Sequence, residues 1–120
     1  DILVTDADRV RKAAAAGAGN AVLVKVNQAG TVSKAKAALD AAKALGWGAI
    51  VSARSGETED VSITHLAVGW DAGQLKVGSF ARSERMAKWN EMLRIEESMG
   101  PDAVFAGASA FAPSVAAALG

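Results

Sequence analysis

Four short apolar runs, each too brief and too β-branched for a helix, recur along this chain at residues 2–5, 21–26, 48–53 and 74–79. Their starts lie roughly 20 to 27 residues apart, and helical patterns fill the gaps. Strand–helix alternation at that interval is how βαβ crossovers build a parallel sheet. Asp6 is placed to cap a helix reaching to about Gly17, with Val10, Ala13 and Ala14 on its inner face. Thr31 caps the next, where Val32, Ala35, Leu39 and Ala42 repeat at helical spacing and Gly46 supplies the stop. A third helix is expected from near Glu57, whose first turn would carry Glu57, Glu59 and Asp60, with Ile63 and Ala67 buried. The fourth, from Arg82 to Met99, is expected to bury Met86, Trp89 and Leu93 and to end at Gly100-Pro101. A strand-like Val104-Phe105-Ala106 and a short helix after Pro113 complete the tail.

The fold class is therefore α/β: four consecutive βα units in one domain, residues 1–120, with no linker or internal low-complexity block. A complete eight-stranded barrel takes about 250 residues, so four units make either a compact open sheet or half of a barrel. The 28 alanines suit helices packed closely on a sheet and carry no chemistry. Composition excludes several functions. Lysine plus arginine and aspartate plus glutamate are 13 each, which leaves no electrostatic footprint for nucleic acid or an anionic membrane. Cysteine is absent, so thiol catalysis, disulfides and cysteine-bound zinc fall away. A single histidine leaves little material for a His-based metal cluster or a Ser-His-Asp triad. With no long apolar span and no recognisable leader, a soluble, cytoplasmic domain is expected.

Chemistry concentrates at the ends of the expected strands. Lys25 lies inside Ala-Val-Leu-Val-Lys-Val, among aliphatic side chains. One reading is a lysine whose ammonium reaches water past a strand end. The other is a functional lysine with a lowered pKa, able to act as a base. Lys76 repeats the pattern at the end of the fourth run, where parallel α/β folds place their sites. Between strand three and its helix, Arg54 and Ser55 stand where a helix N-terminus would favour an anion. The competing reading is that Ser55 or Thr58 only caps that helix while Arg54 pairs with its acidic first turn. The amides of the 27–31 loop either hold a ligand or satisfy turn backbone. His65 reads as structural, Trp47, Trp70 and Trp89 as packing residues. Gly17-Ala18-Gly19 follows a helix rather than a strand, the wrong context for a nucleotide loop.

Four segments, in order and at matching intervals, resemble the successive motifs of the enolase family: Val24-Lys25-Val26-Asn27-Gln28-Ala29-Gly30-Thr31, Ser55-Gly56-Glu57-Thr58-Glu59-Asp60, Gln74-Leu75-Lys76-Val77-Gly78 and Arg82-Ser83-Glu84-Arg85. The resemblance runs from Ile2 to about Gly107 and implies the C-terminal half of a TIM-type (β/α)8 barrel, the last third or so of an enolase. It implies a Mg2+-dependent hydro-lyase of glycolysis that dehydrates 2-phosphoglycerate to phosphoenolpyruvate. Lys25 then corresponds to the catalytic base, Lys76 to a second active-site lysine that binds substrate, and Arg54 and Ser55 to residues holding the phosphate. Ser52 and Ala53 fall in the same substrate-binding stretch. Where enolases read Ser-His-Arg-Ser, this chain reads Ser52-Ala53-Arg54-Ser55, so an active-site imidazole is missing. The metal-binding carboxylates are expected upstream of Asp1, with none in this piece, and Asp1 aligns with the non-ligating member of an Asp-Asp pair. The implied partners are a phosphorylated 2-hydroxy acid and a second subunit, in a homodimer or larger assembly, with no nucleic acid and no membrane. The 120 residues alone are expected to be inactive. The competing functions are a divergent dehydratase of another 2-hydroxy acid and a non-catalytic anion-binding scaffold.

Overall fold

The computed structural model describes residues 1–119. Along the chain run α1 (Ala7–Ala15), β1 (Ala21–Val24), α2 (Val26–Ala29), α3 (Val32–Ala44), β2 (Gly48–Ser52), α4 (Ser62–Gly69), β3 (Gly73–Lys76), α5 (Ser83–Met99) and α6 (Pro113–Leu119). Short 3₁₀ turns at Gly100–Asp102 and Gly107–Ala110 lie between the last two helices. Among the described residues three strands form one parallel sheet in the order β1-β2-β3. The α/β class and the parallel pairing match the expectation, whereas three βα units replace four.

The missing strand is the first. Residues 2–5 form turns, closed by Val4 N–H to the Asp1 carbonyl and Asp6 N–H to the Leu3 carbonyl. Val4 and Thr5 stand at φ 46° and 54°, a left-handed backbone that cannot extend into a sheet. The Thr5 hydroxyl accepts the Lys25 backbone N–H at 3.0 Å and donates to Gln28 Oε1 at 2.9 Å. A side chain thus meets the end of β1 where the pattern led us to expect backbone.

One face of the sheet carries the core. Val22, Val24, Ala49 and Val51 pack with Ala35, Leu39 and Ala42 of α3, Ile63 and Ala67 of α4, and Val10 of α1. Small alanines let these helices lie close, as the composition suggested. Pleating turns Leu23, Ile50 and Gln74 to the opposite face, where they remain half-exposed.

Three further expectations are corrected. The third helix starts at Ser62, not Glu57, because the acids it was read from are used in the loop. The fourth helix keeps its limits but turns differently: Lys88 and Ile95 are buried, Met86 and Trp89 half-buried, and Leu93 exposed. Its apolar stripe is weak, and Lys88 turns inward in place of Leu93. In the tail, Val104 and Phe105 are exposed and irregular rather than strand-like, while the helix after Pro113 forms.

Candidate functional site

β1 ends at Val24, so Lys25 follows the strand and precedes the single helical turn of α2 instead of lying within a longer strand. Its side chain is only 13% exposed, and Nζ lies 2.8 Å from the Asp1 carboxylate. Val24 pairs with Val51 and Ser52 with Lys76, so Lys25, Ser52 and Lys76 share one level at the carboxyl ends of three adjacent strands. Two strand spacings separate the backbones of Lys25 and Lys76 by about 10 Å.

Ala53, Arg54, Ser55 and Lys76 come together around a cleft of about 120 Å³, which Arg85 and Lys88 also line. Ser52 and Lys25 do not border it. The Ser52 hydroxyl is turned inward and donates to the Ala53 carbonyl at 2.8 Å. Arg85 reaches Ser79 Oγ at 2.7 Å and crosses Gly78, whose φ is 118°. A Cβ at Gly78 would meet Arg85 Nε at 3.3 Å, so backbone conformation and space both favour glycine there. Arg54, Lys76 and Arg85 outnumber the two lining carboxylates, Glu57 and Glu84, giving the cleft an anion-binding balance, while the buried Lys88 ammonium is taken up by protein oxygens behind it.

The loop carrying Arg54 and Ser55 is organised by Glu57. One of its carboxylate oxygens accepts the Arg54 backbone N–H at 2.8 Å and the Asn27 amide at 3.3 Å. The other lies 3.8 Å from Lys88 Nζ. Gly56 turns the chain at φ 78°. Asp60 then accepts the Ser62 backbone N–H at 2.8 Å, and the helix begins there. That bond, with the Ser62 hydroxyl next, holds the Asp60 carboxyl below its ordinary value of 3.8. The helix N-terminus expected beside Arg54 and Ser55 is therefore displaced seven residues past Ser55, and side-chain cations remain to meet an anion.

His65 is exposed on α4 and bonds Glu91 of α5 at 3.0 Å, a tie between helices that suits a structural reading. Trp47 and Trp70 pack against the core, and Trp89 lies against Phe80 with ring centroids 5.4 Å apart. Gly17-Ala18-Gly19 ends α1: Gly17 is left-handed and Ala18 N–H returns to the Ala13 carbonyl. Sequence reasoning missed Thr5, the loop role of Glu57, and Lys88. The Thr5–Lys25 and Lys88–Thr58 contacts join residues 20 and 30 positions apart, which no local pattern encodes. Among the described residues no three His, Asp or Glu side chains are grouped to hold a metal. No helix among them is long and apolar enough to cross a membrane.

The family model for the enolase C-terminal TIM barrel domain matches residues 1–114. The chain is 54% identical to an enolase of Solanum lycopersicum over 109 residues, 91% of this chain and 24% of that protein. It spans about a quarter of that relative's length, less than the third expected from the motifs. With lysines and an arginine–serine pair at the carboxyl ends of parallel strands, and with a match covering nearly every residue, this chain belongs to the enolase family as part of its C-terminal TIM barrel domain.

Proposed function

We propose that the full-length protein is a lyase that dehydrates 2-phosphoglycerate to phosphoenolpyruvate, and that residues 1–120 supply its base and part of its phosphate site. The observation that carries this reading is the alignment of Lys25, just past β1, and Lys76, at the end of β3, on one level at the carboxyl ends of the parallel sheet, with Arg54 and Ser55 beside Lys76. Lys25 Nζ takes the proton α to the carboxylate. Acting so, it must release Asp1 and present a neutral amine. Lys76 binds the substrate from across the sheet end, and Arg54 and Ser55 hold its phosphate through charge-assisted hydrogen bonds. The Mg2+ that enolases imply would stabilise the charge of the enolate. The described residues do not form a donor set that fits it, and we place its ligands upstream of Asp1. The same reading expects a cytoplasmic homodimer or larger assembly.

Two substitutions in the full-length protein test it. Lys25→Ala should abolish exchange of the substrate's α-proton with solvent, a positioned base contributing about 10²–10⁴-fold, while substrate binding persists. Arg54→Ala should chiefly raise KM. Exchange at near wild-type rate in Lys25→Ala would end the proposal.

Ala53 supports a second reading, a dehydratase of a different 2-hydroxy acid, because it borders the cleft where enolases read histidine. Ala53→His should raise activity on 2-phosphoglycerate if the protein is an enolase. If the substrate has changed, the same substitution should lower activity on the other 2-hydroxy acid.

A further inference from the structure

Lys88 is 1% exposed, the largest fully buried side chain of the described residues, and it belongs to no step proposed above. Its ammonium donates to the Thr58 carbonyl at 2.9 Å and to the Glu84 carbonyl at 2.9 Å, and it lies 3.8 Å from Glu57 Oε2. Burying an ammonium this fully is unfavourable, and an apolar side chain of similar length would suit a helix interior as well or better. A buried charge kept at such a place suggests work beyond packing. Glu57 extends the contact to other segments. Its opposite oxygen holds the Arg54 backbone N–H and the Asn27 amide. A continuous polar path therefore joins α5 after β3, the loop after β2, and α2 just past Lys25. Lys88 is too enclosed to meet a ligand itself.

We propose that Lys88, acting through Glu57 and the Thr58 carbonyl, is a positioning residue that fixes the Arg54–Ser55 loop for an anionic phosphate group. This rests on the reading of Arg54 and Ser55 as the pair that holds phosphate. Without the ammonium, the loop must be ordered at the moment of binding, and that penalty falls on ground-state affinity rather than on the proton-transfer step.

The test uses the full-length protein with Lys88→Met, Glu57→Gln, the double variant, and Arg54→Ala for reference. The measurements are kcat and KM for 2-phosphoglycerate, calorimetric affinity for inorganic phosphate, and thermal unfolding as a check on the fold. Lys88→Met should raise both KM and the phosphate Kd about tenfold, the lower range for losing a charge-assisted hydrogen bond, with kcat little changed. Glu57→Gln should shift the same two constants in the same direction, and the double variant should be no worse than Lys88→Met alone, because the residues act in series. A lowered melting temperature with KM and phosphate Kd unchanged would overturn the proposal, as would single effects that multiply. If Lys88→Met does not fold, Glu57→Gln decides, and an unchanged phosphate Kd there overturns it. A wild-type protein that binds phosphate through Arg54 and weakens with Lys88→Met, yet does not turn over 2-phosphoglycerate, would sink the enolase reading and keep this one. A wild-type protein that binds no phosphate sinks both.

Discussion

Thr5 is held at φ 54°, a left-handed conformation that disfavours a β-branched residue by about 1–2 kcal/mol, and it is nonetheless 3% exposed. Its hydroxyl offsets that cost by meeting the Lys25 N–H and the Gln28 side chain together. Thr5→Val keeps the shape and removes the oxygen, leaving a nearly buried N–H without its acceptor. We expect a loss of about 1–3 kcal/mol in urea unfolding of the full-length protein, and a change under half of that would mean the bond contributes little. Asp60 gives a second prediction at this scale. Its folded-state carboxyl lies below 3.8, chiefly through the Ser62 backbone N–H, so its stabilisation is fully present above the unfolded value and is lost as pH falls through the lowered one. Asp60→Asn retains an acceptor without the charge. The stability gap between wild type and variant, followed by urea unfolding, should therefore narrow as pH drops below 3.8. A gap independent of pH would exclude that carboxylate as the cause. Which residues were legible follows from the same chemistry. Lys25, Arg54 and Lys76 stand out because charge is rare beside short apolar runs. Thr5 and Lys88 do not, since a threonine in a turn and a lysine in a helix look ordinary until their distant partners are known.

Helix ends show where element boundaries were written locally and where they were not. α1, α3 and α4 each finish on a left-handed residue, followed by an N–H that returns five residues to a carbonyl: Ala18 to Ala13, Trp47 to Ala42, Ala72 to Ala67. Each motif delivers the chain into the next strand within a few residues. At Gly17 and Gly46 the residue type announces the turn. At the third end the left-handed position is Asp71, φ 49°, so the sequence carries no glycine signal. Asp71 also pairs with Lys43 at 3.1 Å, but that carboxylate is 94% exposed and such a pair contributes at most about 0.5–1 kcal/mol. Relief of the backbone strain should equal or exceed that loss. We expect Asp71→Gly to raise the urea midpoint slightly, corresponding to a gain in unfolding free energy of up to about 1 kcal/mol, with the fold unchanged. A lowered midpoint would show that the Lys43 pair outweighs the strain. Helix starts were less legible. Thr31 caps α3 as expected, because its oxygen accepts the Lys34 N–H nearby. Glu57, by contrast, had the composition of a first helical turn, and its use by Arg54, Asn27 and Lys88 on other segments overrode that local preference.

For the whole molecule, surface area is the informative quantity. A compact monomer of 12.2 kDa exposes about 6,100 Å², whereas this chain exposes 7049 Å². Its radius of gyration is 14.4 Å against about 13.6 Å for a compact chain of this length, so the excess does not come from an extended chain. It comes from faces that nothing among the described residues covers. Leu23 and Ile50 look out from the sheet opposite the helices, Val104 and Phe105 are 85% and 95% exposed, and Phe80 and Leu93 stand clear of the core. The outer edges of β1 and β3 also lack a strand partner among the described residues. An excess of roughly 1,000 Å² is the size of a specific interface, and open strand edges add a route to pairing. The 120 residues expressed alone should therefore self-associate at micromolar concentration, and should neither exchange the α-proton of 2-phosphoglycerate nor dehydrate it. Sedimentation velocity across a concentration series, with α-proton exchange run on the same samples, is the measurement. A sharp monomer at every concentration would mean that these apolar faces are tolerated in water. Mg2+-dependent turnover by that monomer would mean that a metal site can form from residues which, in this structure, are not grouped to make one.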